Sequence, residues 1–563
     1  MTAKDDTPAG RPLALTPAWR TARADLHVLL VIHSLTAATR IADVLPALYD
    51  PRVQLYCTRT TGGVFANGLD EYLRETQIRH ISWEKAKETE FDLAITASLG
   101  DDLHELKTKI LRIPHGNGYN KKWSQESGVR SQESGVRSQE VFGLSDDTLK
   151  HQGRLVPSSI ALSHGEQFDR LAQGCPDALP LAFLSGDPCY DRLLAGVPHR
   201  LTYRKALGLR HGQKLITVNS TWNDESLYGS HPGVITELLA RLPYDHYRVA
   251  LVLHPNVWSS HGPRQIRIWQ DEALRSGLLL IPPHEGWRAA VIAADLVLSD
   301  HGSVSVYAAA LGRPVLLSSD GRDSVDPDSA LGRLYEVAHP LDPHATLVPQ
   351  FEQAEKLREL THETALTWVS SAPGRALDLI RAEAYRLMGA TPPPGRPRLM
   401  APPKPEVQSP EPTSLWVRVR PTDDGLAVYR SPAPKSGGVL VCSDAEMDHR
   451  LAAAADVLTI AEEALPADER LWSETVFAHR PGALLTAVYS AEEVRLRTRD
   501  GSLLRVRFTG PVDDPGLVTG VLAERLVTSG HAPAPKMLAA LAPLHLRVSE
   551  ERTLTIPFET AKG

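Results

Sequence analysis

The sequence predicts an α/β protein made of two doubly wound units facing a cleft, followed by a smaller α+β unit. Three observations predict it. From Leu26 onward, apolar runs of strand length alternate with stretches of helical period, the pattern of parallel strands joined by crossover helices. The same alternation begins again near residue 214. From Thr391 to Thr413 the chain reads TPPPGRPRLMAPPKPEVQSPEPT, and proline this dense sustains neither helix nor sheet ladder.

The elements follow in order. Leu26–Ile32 is a buried strand, followed by His33-Ser-Leu-Thr and a helical pattern to about Leu48. Val53–Cys57, Phe91–Thr96 and Lys109–Ile113 are the next strands. After the restart, Lys214–Asn219, Tyr247–Leu253, Gly277–Ile281, Leu296–Leu298 and Pro314–Leu317 are strand candidates. A helical stretch from about Thr361 to Met388 is expected to cap the pair. At 563 residues the chain has room for about three or four domains. The divisions expected are a disordered N-terminus over 1–24, Rossmann-like units over 25–195 and 196–388, a proline-rich spacer over 389–413, and an α+β unit over 414–563.

In the last unit, Leu415–Arg420 and Val494–Arg499 alternate apolar and basic residues, and Asp500-Gly501 turns the chain into Leu503–Phe508. Helices are expected near Asp448–Leu465 and Val518–Ser529. The arginine-bearing faces read as solvated sides of half-buried strands, with anion binding as the alternative. Ser124–Arg130 recurs unchanged at Ser131–Arg137. Two such short copies are a loop duplication rather than a solenoid.

Composition narrows the class. With 42% hydrophobic residues the chain buries compact cores. Lys+Arg 61 against Asp+Glu 68 gives a net charge of -7, which argues against a nucleic-acid-coating protein. Cys57, Cys175, Cys189 and Cys442 are scattered without paired spacing, so neither a disulfide framework nor a four-cysteine zinc site is expected. No apolar run approaches the ~18 residues of a membrane span. A cytoplasmic protein is expected, with at most peripheral contact at the inner face of the membrane.

Three motifs carry the candidate chemistry. In Arg112–Lys122, His115 follows a strand directly, and Gly116 and Gly118 allow a ligand close to the backbone. A histidine there suits a general base, because its ordinary pKa lies near neutrality. His254 also lies just past a strand, and Pro255 fixes the chain's exit. In Ala294–Pro314 a strand ends at Asp300, His301-Gly302 turns, and a helix begins near Ser303. Helix N-termini offer unpaired N–H groups and a positive dipole to phosphate. Ser303 and Ser305 add hydroxyls, though Ser303 also suits simple helix capping. Asn219-Ser220-Thr221-Trp222 closes the first strand of the second unit, and Gly186-Asp187-Pro188 marks the passage between units.

The order of these motifs resembles the CDP-glycerol glycerophosphotransferase family of GT-B-fold transferases. The resemblance covers roughly residues 25–388 and extends to the wider GT-B set, including UDP-N-acetylglucosamine 2-epimerases. It implies a nucleotide-diphosphate donor, CDP-glycerol or an NDP-sugar, and a hydroxyl acceptor, with no cofactor and no metal. By the resemblance His115 is the base that deprotonates the acceptor, and His254 holds or activates the donor diphosphate. Gly116, Thr221, Asp300, His301, Gly302, Ser303 and Ser305 fall at substrate- or phosphate-binding positions. Asp300-His301-Gly302-Ser303 stands where that family commonly has Asp-Tyr-Ser-Ser. The expected activity is transfer of a glycerophosphate or glycosyl group in cell-surface polymer or glycoconjugate biosynthesis. The alternatives are a UDP-sugar epimerase and a non-catalytic GT-B-like scaffold.

Missing patterns sharpen this expectation. The sequence holds no P-loop, no His-Glu-x-x-His, no nucleophile elbow and no Gly-x-Gly-x-x-Gly after the first strand. Asp326-Pro-Asp328 has metal-like spacing but reads as a turn.

Overall fold

The computed structural model describes residues 24–60, 77–97, 102–122, 141–407, 411–433, 437–466, 468–510, 512–529, 539–549 and 552–562. The duplicated segment at 124–137 and nearly all of the N-terminal 1–24 lie outside the described residues.

The first sheet contains β1 (Leu26–Ile32), β2 (Val53–Arg59), β3 (Arg79–His80), β4 (Leu93–Thr96) and β5 (Ile110–Arg112). After a small hairpin, β6 (Lys150–His151) and β7 (Arg154–Leu155), it adds β8 (Ser159–Leu162) and β9 (Ala182–Leu184). Its order is β3-β2-β1-β4-β5-β8-β9, and every pairing is parallel. Leu30 pairs with Cys57 on one side and Ile95 on the other. Both faces are covered, so β1 is apolar apart from His27. Val28 and Leu30 pack with Ile41 and Ile380, while Leu29 and Val31 pack with Trp83 and Phe91.

The second sheet repeats the plan. β10 (Lys214–Ser220), β11 (Tyr247–Leu253), β12 (Leu279–Leu280), β13 (Leu296–Ser299), β14 (Val315–Ser318) and β15 (His339–Leu341) lie parallel in the order β12-β11-β10-β13-β14-β15. The strand order reverses between β1 and β4 in one sheet and between β10 and β13 in the other. Ligands of such sheets bind at the carboxyl edge of that switch point. Two doubly wound sheets with these edges turned toward one cleft make the GT-B-like arrangement.

The chain crosses between units twice. Asp187 caps the Pro188–Gly196 helix through Tyr190 N at 2.9 Å. The Ala376–Met388 helix then returns to the first sheet, burying Leu377, Ile380, Ala384 and Leu387 against it. Asp191 anchors that return, its two carboxylate oxygens accepting from Gly374 N at 2.6 Å and Ala376 N at 2.9 Å.

The proline-rich segment is extended, as proline requires, but it is no free spacer. Arg381 donates to Gly395 O at 2.6 Å, Tyr203 to Pro402 O at 2.6 Å, and Val407 packs on the second unit's core. It is a strap laid along the two units.

The third sheet has ten strands. They are β16 (Ser414–Thr422), β17 (Gly425–Ser431), β18 (Val439–Ser443), β19 (Val457–Ala461), β20 (Leu485–Tyr489), β21 (Glu493–Thr498), β22 (Leu503–Phe508), β23 (Leu544–Arg547), β24 (Thr553–Ile556) and β25 (Phe558–Lys562). The Pro515–Thr528 helix fills one face with Leu517, Val518, Val521 and Leu522. One expectation is overturned here. The helix expected over Asp448–Leu465 ends at Ala454, and Val457–Ala461 is a strand. Its β-branched Val457, Thr459 and Ile460 fit the slot between β18 and β20, and tertiary pairing outweighs the alanine-rich helix propensity before them. The basic strand face is neither free nor simply solvated. Arg495 pairs with Glu462 at 2.8 Å, Glu469 at 2.6 Å and also Glu493.

This third unit docks behind the second. Arg430 grips Asp245 with Nε–Oδ2 at 2.8 Å and Nη2–Oδ1 at 2.5 Å, and Arg210 meets Asp514 at 2.7 Å. Arg210 and Asp245 precede β10 and β11. The contact is therefore at the amino ends of the strands, opposite the cleft.

Candidate functional site

The site lies where the segment after β5 meets the carboxyl ends of β10, β11 and β13. Three backbone contacts hold that segment against the second unit. Lys122 N donates to Ser324 O at 2.9 Å, Asp326 N to Asn120 O at 2.8 Å, and Lys121 bridges Val325. Asp187 adds a buried brace, accepting from Asn117 Nδ2 at 3.2 Å and Tyr307 OH at 2.9 Å.

The two histidines reach the cleft in opposite tautomers. His115 Nδ1 lies 3.2 Å from Ala97 O. A carbonyl only accepts, so Nδ1 carries the proton and Nε2 keeps a lone pair. His254 Nδ1 accepts from Asn256 N at 3.1 Å, so there Nε2 carries the proton. One ring is arranged to take a proton and the other to donate a hydrogen bond. Burial lowers the pKa of both to about 3, helped for His115 by the charges of His33 and Arg40 and for His254 by Lys121 and His115. Both are neutral at pH 7.

His33, at the end of β1, joins them. Its ring lies 5.8 Å from that of His115, and burial lowers its pKa to about 4. Arg40, in the Leu35–Val44 helix that follows, stacks 5.5 Å above Trp287 and reaches Asp43 at 3.4 Å. Asp43 is shared with Arg288 at 2.6 Å and Arg192 at 2.9 Å, and Arg192 also meets Glu285 at 3.1 Å. Burial alone would raise the Asp43 pKa, but Arg288, Arg40 and Arg192 together hold it below the ordinary carboxylate value. Three guanidiniums against two carboxylates leave this buried cluster net positive beside the histidines. A small cavity lies next to it, lined by Arg40, Gly116, Asp187, Cys189 and Tyr307.

The turn after β13 divides its labour. Asp300 Oδ2 accepts from Ser220 Oγ at 3.2 Å, Thr221 N at 2.8 Å, Thr221 Oγ1 at 3.0 Å and Leu227 N at 2.9 Å. Asp300 and Thr221 therefore organise the loop after β10. His301 Nε2 lies 3.1 Å from Thr221 Oγ1 and extends the same chain. Ser305 is likewise engaged internally, with Ser299 Oγ and Asp300 O both at 2.8 Å. Asp326 accepts from Asp328 N at 3.1 Å and pairs with Arg170 at 2.7 Å, so Asp-Pro-Asp is a turn.

Ser303 behaves differently. The helix runs Ser303–Ala310 with Gly302 at its N-cap position and no side-chain cap. Ser303 does not cap it. Its hydroxyl faces the first unit, 3.4 Å from both Asn117 O and Asn120 Nδ2. The helix start, with its unpaired N–H groups, opens on the same junction as His115 and His254.

Two further residues matter that sequence reasoning did not single out. Lys121 is half-buried, and its ammonium lies 5.7 Å from the centre of the Trp222 ring. Asn219, at the end of β10, is buried with neither side-chain polar atom partnered among the described residues. Asn219 was visible in its motif, but its unmet hydrogen bonds were not.

No protein-family model matches the chain, and no curated protein sequence does. Solved structures similar to it include the wall teichoic acid polymerase TagF, at 12% identity and TM-score 0.46, covering 65% of this chain and 90% of that one. Another is UDP-GlcNAc 2-epimerase from Neisseria meningitidis bound to UDP-GlcNAc, at 15% identity and TM-score 0.39, covering 64% and 100%. A third is the S. aureus MnaA–UDP structure, at 12% identity and TM-score 0.42, covering 66% and 100%. Among the described residues no helix is long and apolar enough to cross a membrane.

Proposed function

We propose that the chain is a transferase moving a glycerophosphate or glycosyl group from a nucleotide-diphosphate donor to an acceptor hydroxyl. The observation that carries this reading is the opposed tautomers of His115 and His254 beside a helix N-terminus and a net-positive cluster. The acceptor O–H gives its proton to His115 Nε2 as its oxygen attacks. Attack on the donor's β-phosphorus releases a nucleoside monophosphate, and attack on an anomeric carbon releases the diphosphate. His254 Nε2–H and the N–H groups at Ser303 stabilise the charge that grows on the departing phosphate.

The low pKa of His115 does not oppose this role. It arises first from burial and then from the charges of His33 and Arg40. A bound diphosphate reverses that electrostatic balance and raises the pKa toward neutrality, where a base works best. Gly116 lets the loop approach the helix start, while Asp300, His301 and Thr221 hold the donor side in shape.

The test is ligand-induced thermal stabilisation with CMP, CDP, UMP, UDP, GDP, CDP-glycerol and nucleotide sugars, followed by turnover with and without acceptors. A diphosphate-specific shift and acceptor-dependent release are expected, and His115→Ala should cut turnover by about 10²–10⁴-fold while donor binding persists. Rearrangement of a nucleotide sugar without acceptor would assign an epimerase instead. No shift with any nucleotide would remove the donor site and leave a scaffold.

A further inference from the structure

We propose that Lys121 is the group by which the first unit grasps the diphosphate of a donor bound on the second unit. This rests on the transferase reading above. Lys121 belongs to the first unit by sequence, yet its backbone is bridged to Val325 and its neighbour Lys122 donates to Ser324 O at 2.9 Å. The side chain therefore projects from a segment pinned on the second unit. It reaches the loop after β10, where Trp222 lies beneath its ammonium at 5.7 Å.

Two carboxylates, Asp300 and Glu225, bear on that charge without touching it. Among the described residues, Nζ makes no hydrogen bond and no ion pair. Burial lowers the Lys121 pKa, with the charges of Asp300 and Glu225 opposing that shift. Asp300 supplies part of the counter-charge: its Oδ2 holds Ser220, Thr221 and Leu227, while its Oδ1 has no hydrogen-bond partner and forms no ion pair with Nζ among the described residues. Lys121 and His254 also bear on each other, since the lysine's charge helps depress the histidine's pKa. An ammonium half out of water, stacked on an indole and close enough to His254 to act on it electrostatically, is completed by an anion. A diphosphate bound at the Ser303 helix start supplies one. It would bond to groups from both units, and so hold them together.

The test is calorimetric titration of the full chain with CDP, UDP, GDP, the matching nucleosides and inorganic pyrophosphate. Wild type is compared with Lys121→Gln, Lys121→Arg and the neighbouring Lys122→Gln. Lys121→Gln should weaken binding of the preferred diphosphate at least ~10-fold, the value of one charge-assisted contact, and nucleoside binding less than about twofold. Lys121→Arg should recover most of the loss, and Lys122→Gln should resemble wild type. Equal losses for nucleoside and diphosphate, or a lower melting temperature with unchanged diphosphate affinity, would make Lys121 a structural counter-charge to Asp300 and overturn the proposal. Wild type that binds pyrophosphate but no nucleotide sinks the transferase reading, and Lys121 is then judged on the pyrophosphate titration alone.

Discussion

Gly116 and Ser303 meet across the cleft so closely that a β-carbon on Gly116 would stand 2.8 Å from Ser303 Oγ and 3.6 Å from Ser303 Cβ. The contact joins the segment carrying His115 to the helix start that faces it. It makes a separable prediction. Gly116→Ala should destabilise the closed chain by roughly 1–3 kcal/mol through overpacking. Ser303→Ala removes the clashing oxygen and leaves a β-carbon at ordinary distance. The double variant should therefore be more stable than the sum of the singles predicts, by about 0.5 kcal/mol or more. Urea unfolding of the four proteins measures this coupling, and strict additivity would place the two residues apart in solution.

The buried histidines predict a particular acid sensitivity. His115 and His254 have folded pKa values of about 3 and His33 about 4, against an ordinary 6.5. Each is depressed, so below the ordinary value the unfolded chain binds more protons than the folded one. Their contribution to stability is complete above that value and is lost as pH falls toward the folded values. Each such histidine steepens the loss by up to about 1.4 kcal/mol per pH unit. The clean window lies between the ordinary histidine value and about pH 5, where most carboxylates remain ionised. His115→Asn should flatten the slope there by close to one proton. Unfolding midpoints across that window decide it, and an unchanged slope would mean His115 is exposed in solution.

Much of this fold was legible because parallel strands covered on both faces are dominated by apolar residues. β1 and β11 emerge at the expected residues, Leu26–Ile32 and Tyr247–Leu253, despite His27 and Arg248 within them. β8 and β9 did not, because Ser159–Leu162 and Ala182–Leu184 are too short to stand out. His115 and His254 were legible for one reason, a histidine directly after a strand. What Asp300 does was not, because its donors Thr221 and Leu227 lie 79 and 73 residues away. Lys121 is the opposite case. Its interest lies in its place beside Trp222 and near Asp300, and the sequence does not encode that locally.

Asp300 should be a stability residue before it is anything else. Asp300→Ala leaves Thr221 N and Leu227 N buried without an acceptor and frees the Ser220 and Thr221 hydroxyls. The expected loss is on the order of 3 kcal/mol. Asp300→Asn keeps one acceptor oxygen and should lose less. Ser305→Ala, which gives up bonds only to Ser299 and Asp300 O, should lose about 1 kcal/mol. Denaturation of the three variants gives the order, and an Asp300→Ala chain as stable as wild type would remove the loop-holding role.

The dock of the third unit predicts a loss of assembly without a loss of nucleotide binding. Arg430 and Asp245 are both buried, and Arg430 also approaches Asp514 at 3.3 Å. Burial opposes the Arg430 charge, but Asp245 and Asp514 hold its pKa above the ordinary guanidinium value. Removing one partner strands a buried charge. Arg430→Ala should therefore destabilise the contact by roughly 3–5 kcal/mol, whereas replacing both residues by apolar ones of similar size should cost far less. The contact sits before β10 and β11, about 20 Å of strand away from the carboxyl edge where His254 and Ser303 lie. Arg430→Ala should accordingly expose the strap over 389–407 to protease and lengthen the particle in small-angle scattering. Nucleotide-induced stabilisation of the first two units should persist. If that stabilisation disappears together with the dock, the third unit acts on the cleft and is not merely carried behind it.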